Sequence, residues 1–531
     1  MPAQSSSGGG GVPATSPGTP PPNNPGGVPG TPGPPIASPT PIPITPGSSA
    51  ISLTGTEGSV VNPHNSGDTF QYDETVNVTF QNPIPAGGPT YTITGSDGSN
   101  PPSSVYITGY GNQAQISVRK VPGIVYTLKV TSPVSYTATF STPAIVNVPA
   151  PLRATTNEPY RYGILEHPFK GFLNATCTGP GNTAPCSLDS TAQQTVNELT
   201  AAGTRFVRID YNAQGVLTDV TGKIILSSPN FDKQDAIIAA LHARGITELP
   251  CILQYAEGPL LAGGVGYPHA FQWSSSQDPD NVAHQVGYAD FAQAVVQHLA
   301  ATAPWITRVE LFNEENLHGW DNIPVAGNVA VDDVSGSEAG RYAYFAYKQI
   351  KAVAPGMTVV GPALATGGWH TDSRKFLTQM YTSISSGSTN INVTCRTGVC
   401  WDLLDVHNYD WESPTATKRA GYENQWSIYK QLQGIGAQYG DSFRVMLTEW
   451  GFSTAMSASG FDPQVQALYI AQGLNLMLAD PTVDGIVYVN LFNQSCNPTC
   501  GGDFWGRTAL EDANWNRQPA FYTFRKFSTG S

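Results

Sequence analysis

The chain has few charged residues and no long apolar run. Only 12% of its 531 residues are charged, and 26 basic against 39 acidic side chains give a formal net charge of −13. An acidic chain of this kind is not expected to bind nucleic acid. No stretch approaches about 18 consecutive apolar residues, so no membrane span is expected either.

A recognisable export signal is also lacking, yet the cysteines indicate export. The opening "MPAQSSSGGGGVP" has neither a basic start nor an apolar core. The seven cysteines include three close pairs in loop-like sequence: Cys177 and Cys186, Cys395 and Cys400, and Cys496 and Cys500. Such pairs are typical of disulfides in exported proteins, whereas zinc, the alternative, is disfavoured because the spacings differ and no His stands beside a pair. We predict three disulfides, a buried free thiol at Cys251, and a secreted or extracellular protein whose signal segment precedes this numbering.

Composition divides the chain into three segments, as expected because 531 residues exceed one ordinary core. Residues 1–50 are mostly Pro, Gly, Ser and Thr, which predicts a disordered tether. Residues 51–148 contain short β-branched and aromatic runs separated by turn residues, a pattern typical of an immunoglobulin-like β-sandwich. We interpret this sandwich as a spacer, with carbohydrate binding as the alternative.

Residues 149–531 alternate between strand-like and helix-like runs. The eight strand-like runs are "RYGILEHPF", "TRFVRIDY", "ELPCILQY", "ITRVELFN", "MTVVGPAL", "LLDVHNYD", "FRVMLTEW" and "DGIVYVNLF". Between them lie segments such as "ADFAQAVVQHLA", whose apolar residues recur with the i, i+3, i+4 spacing of an amphipathic helix. This alternation predicts an α/β fold of the (β/α)₈ or TIM-barrel type.

Two of these strands end in carboxylates. The fourth closes with "VELFNEEN", which contains Glu314, and the seventh closes with "VMLTEWG", which contains Glu449. Active sites of such barrels form at the carboxyl ends of the strands, and glycoside hydrolysis needs two facing carboxylates there. Ordinary rim salt bridges are the alternative, but Lys and Arg are scarce near both motifs. A carboxylate that ends an apolar strand is also costly unless it is used or paired.

The motifs "NE", "TEWG" and "HNY" at the ends of strands 4, 7 and 6 resemble clan A glycoside hydrolases. The resemblance covers residues 149–531 and is greatest to family 39 and its relatives, then to family 5. It implies a retaining barrel enzyme with Glu314 as acid/base and Glu449 as nucleophile. It also implies a carbohydrate substrate and no cofactor or metal.

The same resemblance implies roles for four further residues. Asn313 would hydrogen-bond the sugar 2-hydroxyl, and His407 would line the sugar subsite. Tyr409 would donate a hydrogen bond to Glu449 and keep it ionised. Arg208 matches the strand-2 arginine near the nucleophile, although pairing with Asp210 on the same strand face is an equal alternative.

The sequence departs from the clan pattern in two places. Glu315 stands where Pro usually follows "NE"; it would raise the pKa of Glu314 or point to solvent. Strand 8 ends in "YVNLFNQ" without the Trp common there, and Trp505 is the candidate replacement.

Tryptophans are concentrated in the predicted loops after strands 3 to 8. They are Trp273, Trp320, Trp369, Trp411, Trp450 and Trp505. Aromatic rings stack on the apolar C–H faces of sugars, so the group indicates a glycan cleft, although core packing is an even alternative for any one of them. Trp320, Trp369, Trp450 and Trp505 are predicted to bind substrate.

Two other functions compete with glycoside hydrolysis. A metal-dependent barrel hydrolase would use His407, Asp405, Asp410 and His370, but no His-x-His or His-Glu-x-x-His spacing supports it. A catalytically inactive glycan-binding protein would keep the cleft without turnover, but the presence of both Glu314 and Glu449 disfavours it. The sequence leaves the oligomeric state open.

Overall fold

The computed structural model describes most of the chain beyond residue 50. The described residues are 51–57, 60–72, 74–107, 111–152, 158–165, 173–180, 183–211, 230–253, 282–314, 316, 324–325, 329–330, 336–365, 373–382, 394–408, 421–454, 460–492, 508–512 and 514–530. The tether predicted for residues 1–50 lies outside them.

The first described part of the chain forms two antiparallel sheets. Their strands are β1 (Ile51–Glu57), β2 (Val60–His64), β3 (Thr75–Phe80), β4 (Thr90–Gly95), β5 (Ser103–Ile107), β6 (Gln113–Val118), β7 (Val125–Ser132) and β8 (Tyr136–Ser141). One sheet has the order β2-β1-β3-β6-β5 and the other has the order β4-β7-β8.

Alternating apolar residues from both sheets form one core. On β7, Tyr126, Leu128 and Val130 are fully buried while the residues between them are exposed. They share a cluster with Val78 and Phe140 from the other strands. A common core between two antiparallel sheets is a β-sandwich, as the sequence predicts.

Eight parallel strands close into a barrel, as predicted. They are β9 (Tyr162–Leu165), β12 (Phe206–Tyr211), β13 (Thr247–Ile252), β14 (Arg308–Leu311), β17 (Thr358–Ala365), β18 (Leu403–Asn408), β19 (Arg444–Trp450) and β20 (Val483–Val489), with β20 pairing to β9. Two hairpins lie between them in the chain: β10 (Ala175–Cys177) with β11 (Cys186–Leu188), and β15 (Pro324–Val325) with β16 (Val329–Ala330).

The described helices follow in the gaps between these strands. They are α1 (Ser190–Ala201), α2 (Asp232–His242), α3 (Val282–Thr302), α4 (Gly336–Val353), α5 (Ser373–Tyr381), α6 (Gly421–Gln438), α7 (Pro463–Ala479) and α8 (Pro519–Thr529). Among them, none combines the length and apolarity that crossing a bilayer requires.

The barrel interior changes from apolar to polar along the strands. Leu249, Val360, Met446 and Val487 belong to one buried cluster that fills the interior near the start of the strands. Outward-facing residues pack in a separate, larger cluster with the helices. Charged side chains such as Arg208, Glu310 and Glu449 face the interior further along the strands, towards the carboxyl ends where a site is expected.

Two of the three predicted disulfides are confirmed. Cys177 is bonded to Cys186 across the β10–β11 hairpin, and Cys395 is bonded to Cys400. Cys251 on β13 is a buried free thiol, also as predicted. The third pair, at positions 496 and 500, lies outside the described residues.

Candidate active site

Arg208 connects the side chains at the centre of the barrel mouth. Strand β12 turns Arg208 inward, where it is only 1% exposed. Its Nε lies 2.7 Å from Glu310 Oε2, one terminal nitrogen lies 2.9 Å from Glu449 Oε1, and the other lies 2.8 Å from Asn313 Oδ1. The Asp210 carboxylate is 3.8 Å away, so pairing with Asp210 is not the main role of this arginine. Arg208 instead fixes three side chains from β14, its following loop and β19.

Glu310 supplies the permanent negative charge that holds Arg208. Both Glu310 oxygens accept hydrogen bonds from the guanidinium in a bidentate pair. Burial acts to raise the pKa of Glu310, but the Arg208 guanidinium outweighs it and holds that pKa below its usual range. Arg208 and Glu310 therefore form a structural ion pair beneath the candidate catalytic carboxylates.

The segment after β14 presents Glu314 through an unusual backbone. Phe312 and Glu314 both have left-handed φ angles, 69° and 61°, which cost roughly 1 kcal/mol or more for a residue with a side chain. Phe312 is held by stacking on Tyr288 with ring centroids 4.8 Å apart. Asn316 is fully buried and makes two 2.9 Å hydrogen bonds with the backbone of Ala365 on β17. The second asparagine of "NEEN" is thus the anchor of this segment, a role that sequence reasoning missed.

Glu314 and Glu449 approach each other on either side of His407. Their nearest carboxylate oxygens and a His407 ring nitrogen all lie within 4.8 Å of one another. His407 Nδ1 is 2.9 Å from Glu314 Oε1 and 3.6 Å from Glu449 Oε2. All three side chains are buried. The arrangement brings two carboxyl groups, from the ends of β14 and β19, to one small volume at the barrel mouth.

The electrostatic surroundings distinguish these two carboxyl groups. Burial raises the pKa of Glu314 to about 7 and that of Glu449 to about 7, and Arg208 opposes the shift at both. Among the described contacts, Arg208 donates a hydrogen bond to Glu449 but none to Glu314. Its positive charge therefore lies closer to the Glu449 carboxylate. The Arg208 guanidinium therefore favours the ionised form of Glu449 through a direct hydrogen bond, while the Glu314 carboxylate acts in the opposite direction and raises the pKa of Glu449.

His407 is a neutral imidazole in this environment. Burial lowers the pKa of His407 to about 4, although the Glu449 carboxylate acts in the opposite direction. Its Nε2 lies 3.0 Å from Thr448 Oγ1, and Thr448 Oγ1 lies 2.6 Å from each Asp405 oxygen. Asp405 precedes His407 by two residues and shares its strand face. That period-two spacing is the one sequence signal for Asp405, while Thr448 has none.

A β-bulge explains why neighbouring residues of β19 both face the barrel interior. Asp405 pairs with Met446 and His407 pairs with Glu449, so two steps along β18 correspond to three along β19. The extra residue lets Thr448 contact Asp405 while Glu449 contacts Arg208.

Trp450 is consequently turned outward, and its predicted role in substrate binding is wrong. Its side chain is 0% exposed and packs edge-on against Phe452 and Tyr488. Gly473 of α7 makes room for the indole, since a Cβ there would lie 2.4 Å from the ring. The bulge places Glu449 inside the barrel and sends the next side chain into the helix layer.

The other predicted site residues divide into two groups. Arg208, Asn313, Glu314, His407 and Glu449 are brought together as described above. Several predicted residues lie outside the described ranges: Tyr409, Trp320, Trp369, Trp505, Trp273, Trp411, Glu315, His370 and Asp410.

Comparison with known proteins gives matches only among solved structures. No protein-family model matches the chain, and no curated protein matches it. A family 39 glycoside hydrolase from Bacteroides cellulosilyticus WH2 is 14% identical, covers 91% of this chain and 78% of its own, and has a TM-score of 0.44. A monomeric beta-xylosidase from Caulobacter crescentus CB15 is 17% identical, covers 72% of this chain and 69% of its own, and has a TM-score of 0.45.

A third match is GH5_18 from Streptomyces cattleya, in complex with GlcNAc. It is 13% identical, covers 72% of this chain and 82% of its own, and has a TM-score of 0.46. These identities and TM-scores are too low to transfer a function, which is inferred below from the side chains of the site. Families 39 and 5, which the sequence motifs resemble, are both represented among the solved structures that the chain matches.

Proposed function

We propose that the chain is a retaining glycoside hydrolase that cleaves a polysaccharide or oligosaccharide, with Glu314 as acid/base and Glu449 as nucleophile. The observation that carries this proposal is the approach of the two carboxyl groups, whose nearest oxygens lie within 4.8 Å. Retaining enzymes hold their carboxyl groups about 5–5.5 Å apart, whereas inverting enzymes need about 6.5–9.5 Å to admit a water molecule. The short separation favours direct attack by a carboxylate.

In the first step, Glu314 transfers its proton to the glycosidic oxygen while the bond from that oxygen to the anomeric carbon breaks. The Glu449 carboxylate attacks the same carbon from the opposite face and forms a glycosyl ester. The leaving alcohol carries away the proton that Glu314 has lost. The hydrogen bond from Arg208 supports this assignment, because it favours ionisation of Glu449.

In the second step, Glu314 acts as a base. Its carboxylate takes a proton from water while the water oxygen attacks the anomeric carbon and the bond to Glu449 breaks. Glu314 is then protonated again, Glu449 is a carboxylate again, and the sugar leaves with its original anomeric configuration. A group with a pKa near 7 can serve both as acid and as base at neutral pH.

The neighbouring residues would bind and orient the sugar. Asn313, whose amide oxygen is fixed by Arg208, would hydrogen-bond the 2-hydroxyl group. The aromatic side chains of Tyr409, Trp320, Trp369 and Trp505 remain proposals for the subsites. No cofactor is part of the scheme.

Digestion of a glycan panel by the purified protein tests the proposal. We expect turnover of at least one substrate, with NMR of the first products showing retained anomeric configuration. Glu449→Ala should abolish that turnover while leaving the fold intact. Glu248→Gln is the matched control, because Glu248 is an equally buried strand carboxyl on β13 that lies outside the proposed machinery. Inverted products, or wild-type activity of Glu449→Ala, would refute the assignment.

A further inference from the structure

Inside the barrel a continuous chain of hydrogen bonds connects Asp405 with Glu314. Asp405 Oδ1 lies 2.6 Å from Thr448 Oγ1, which lies 3.0 Å from His407 Nε2. On the other side of the ring, His407 Nδ1 lies 2.9 Å from Glu314 Oε1. Asp405, Thr448 and His407 are all 0% exposed. Neither Asp405 nor Thr448 takes part in the two steps described above.

Thr448 and His407, the two inner members of this hydrogen-bond chain, each have one hydrogen to donate. The Thr448 hydroxyl carries one hydrogen, and a neutral imidazole carries one N–H, on either Nδ1 or Nε2. When the imidazole hydrogen is on Nδ1, Nε2 can only accept, so Thr448 donates to Nε2 and Asp405 donates to Thr448. When it is on Nε2, His407 donates to Thr448, whose hydroxyl then donates to Asp405 or to Glu310 Oε1, 3.5 Å away.

The needs of a general acid decide between the two directions. The Oε1 atom of Glu314 faces His407 Nδ1. If Nδ1 carried no hydrogen, the acid proton would be donated to the ring and withheld from the substrate. If Nδ1 carries the hydrogen, Oε1 is the acceptor and the acid proton resides on Oε2, from which it can reach the glycosidic oxygen.

Asp405, at the other end of this hydrogen-bond chain, can donate the hydrogen bond that places the hydrogen of His407 on Nδ1. Asp405 must then be protonated, so that it can donate to Thr448 Oγ1. Burial raises the pKa of Asp405 well above its usual range; the nearby Glu310 carboxylate adds to the effect, by its charge and as a second hydrogen-bond partner of Asp405, while Arg208 opposes it. Glu310 itself stays ionised through its bidentate pair with Arg208.

We propose that Asp405 and Thr448 are positioning residues that orient His407 and place its Nδ1–H against Oε1 of Glu314. This inference rests on the proposed function, since it concerns the acid/base of that reaction. The Nδ1–H group faces the oxygen on which negative charge grows as Glu314 releases its proton. Asp405, Thr448 and His407 thus stabilise the transition state of proton transfer without contacting the substrate.

Kinetics with two leaving groups test the role of the chain. In Thr448→Val the hydroxyl is lost, and we expect kcat/KM for a phenyl glycoside, whose poor leaving group needs protonation, to fall by about 10- to 100-fold. For a 2,4-dinitrophenyl glycoside of the same sugar, which departs without protonation, kcat/KM should change little. Thr448→Ser keeps the hydroxyl and should restore activity on both. Equal losses on both substrates, or no loss on either, would overturn the proposal.

The direction of the chain can be measured without a substitution. Long-range ¹⁵N–¹H correlation spectra of the wild-type protein distinguish Nδ1–H from Nε2–H imidazole, and His407→Gln identifies the resonance. We expect the Nδ1–H form, and the Nε2–H form would overturn the proposal. Absence of turnover by the wild-type protein on the whole glycan panel would instead refute the proposed function, while the tautomer would still decide the direction of the chain.

Discussion

Replacing Glu314 by Gln should stabilise the folded protein at alkaline pH and have little effect in acid. The amide that replaces the carboxyl group keeps an oxygen that can accept the hydrogen bond from His407 Nδ1, but it cannot ionise. In the wild type, burial raises the pKa of Glu314 from 4.5 to about 7. The folded state therefore binds more protons than the unfolded state between these values. The stability that this group contributes is complete below about pH 4.5 and is lost as the pH rises through about 7.

The size of the effect follows from the shift. A difference of 7 − 4.5 = 2.5 pKa units corresponds to about 3 kcal/mol at about 1.4 kcal/mol per unit. The Glu314 carboxylate also raises the pKa of Glu449, so its replacement relieves that repulsion as well, whereas local relaxation and water penetration reduce the gain. Above pH 7 we expect the Glu314→Gln variant to exceed the wild type in free energy of unfolding by about 1–3 kcal/mol. At pH 4.5 the difference should be small.

The assay is denaturant unfolding of both proteins at several pH values from 4.5 to 8. Asp480→Asn provides the control, because hydrogen bonds from Lys430 and Thr482 outweigh burial and lower the pKa of Asp480 to about 2. That carboxylate is ionised in both states throughout the assay range, so its replacement should destabilise the protein by an amount independent of pH. A stability difference for Glu314→Gln that does not grow between pH 4.5 and 8 would refute the reasoning.

Three further predictions concern the anchor, the domains and the cysteines. Asn316→Ala should reduce turnover and lower the free energy of unfolding by about 1–3 kcal/mol, because it leaves buried backbone groups of Ala365 unpaired. Denaturant unfolding and kinetics on one sample measure both effects, and unchanged turnover would contradict the prediction. A fragment of residues 149–531 should keep turnover per folded molecule on short oligosaccharides, since it contains the whole proposed site; a folded but inactive fragment would mean that residues 51–148 build part of the cleft. Mass mapping after alkylation of the unreduced protein should find one free thiol and a bond between Cys496 and Cys500, and further alkylated cysteines would contradict this.

The barrel could be predicted because its strands carry a strong local signal. Each of the eight runs is apolar and short and lies between helix-like segments, and each matches one of the barrel strands to within one residue at its overhanging end. The strands that sequence reasoning missed have weaker patterns: β1 and β2, over Ile51–Glu57 and Val60–His64, contain Gly, Ser, Asn or Pro among few apolar residues. Helix α5 has only nine residues, too few to show a clear helical period in the sequence.

The site was predictable where a side chain carries its chemistry in its motif. Glu314, Glu449 and Arg208 stand at strand ends in recognisable patterns. Thr448 resembles any other strand threonine, and its importance arises only because a bulge turns it towards Asp405. Trp450 was misassigned because it was placed in the loop after strand 7, whereas it is the last residue of β19 and the bulge turns it outward.

That bulge also makes the length of β19 matter as much as its composition. Substitution can replace an outward-facing apolar residue of the strand with another of similar volume. Deleting one residue between Met446 and Trp450 would instead remove the bulge and leave a single inward-facing position where Thr448 and Glu449 now both face the barrel interior. The strand can therefore change by substitution of single residues. An insertion or deletion within it should abolish activity in a single event. Any evolutionary lineage that keeps this chemistry must therefore keep this strand at its present length.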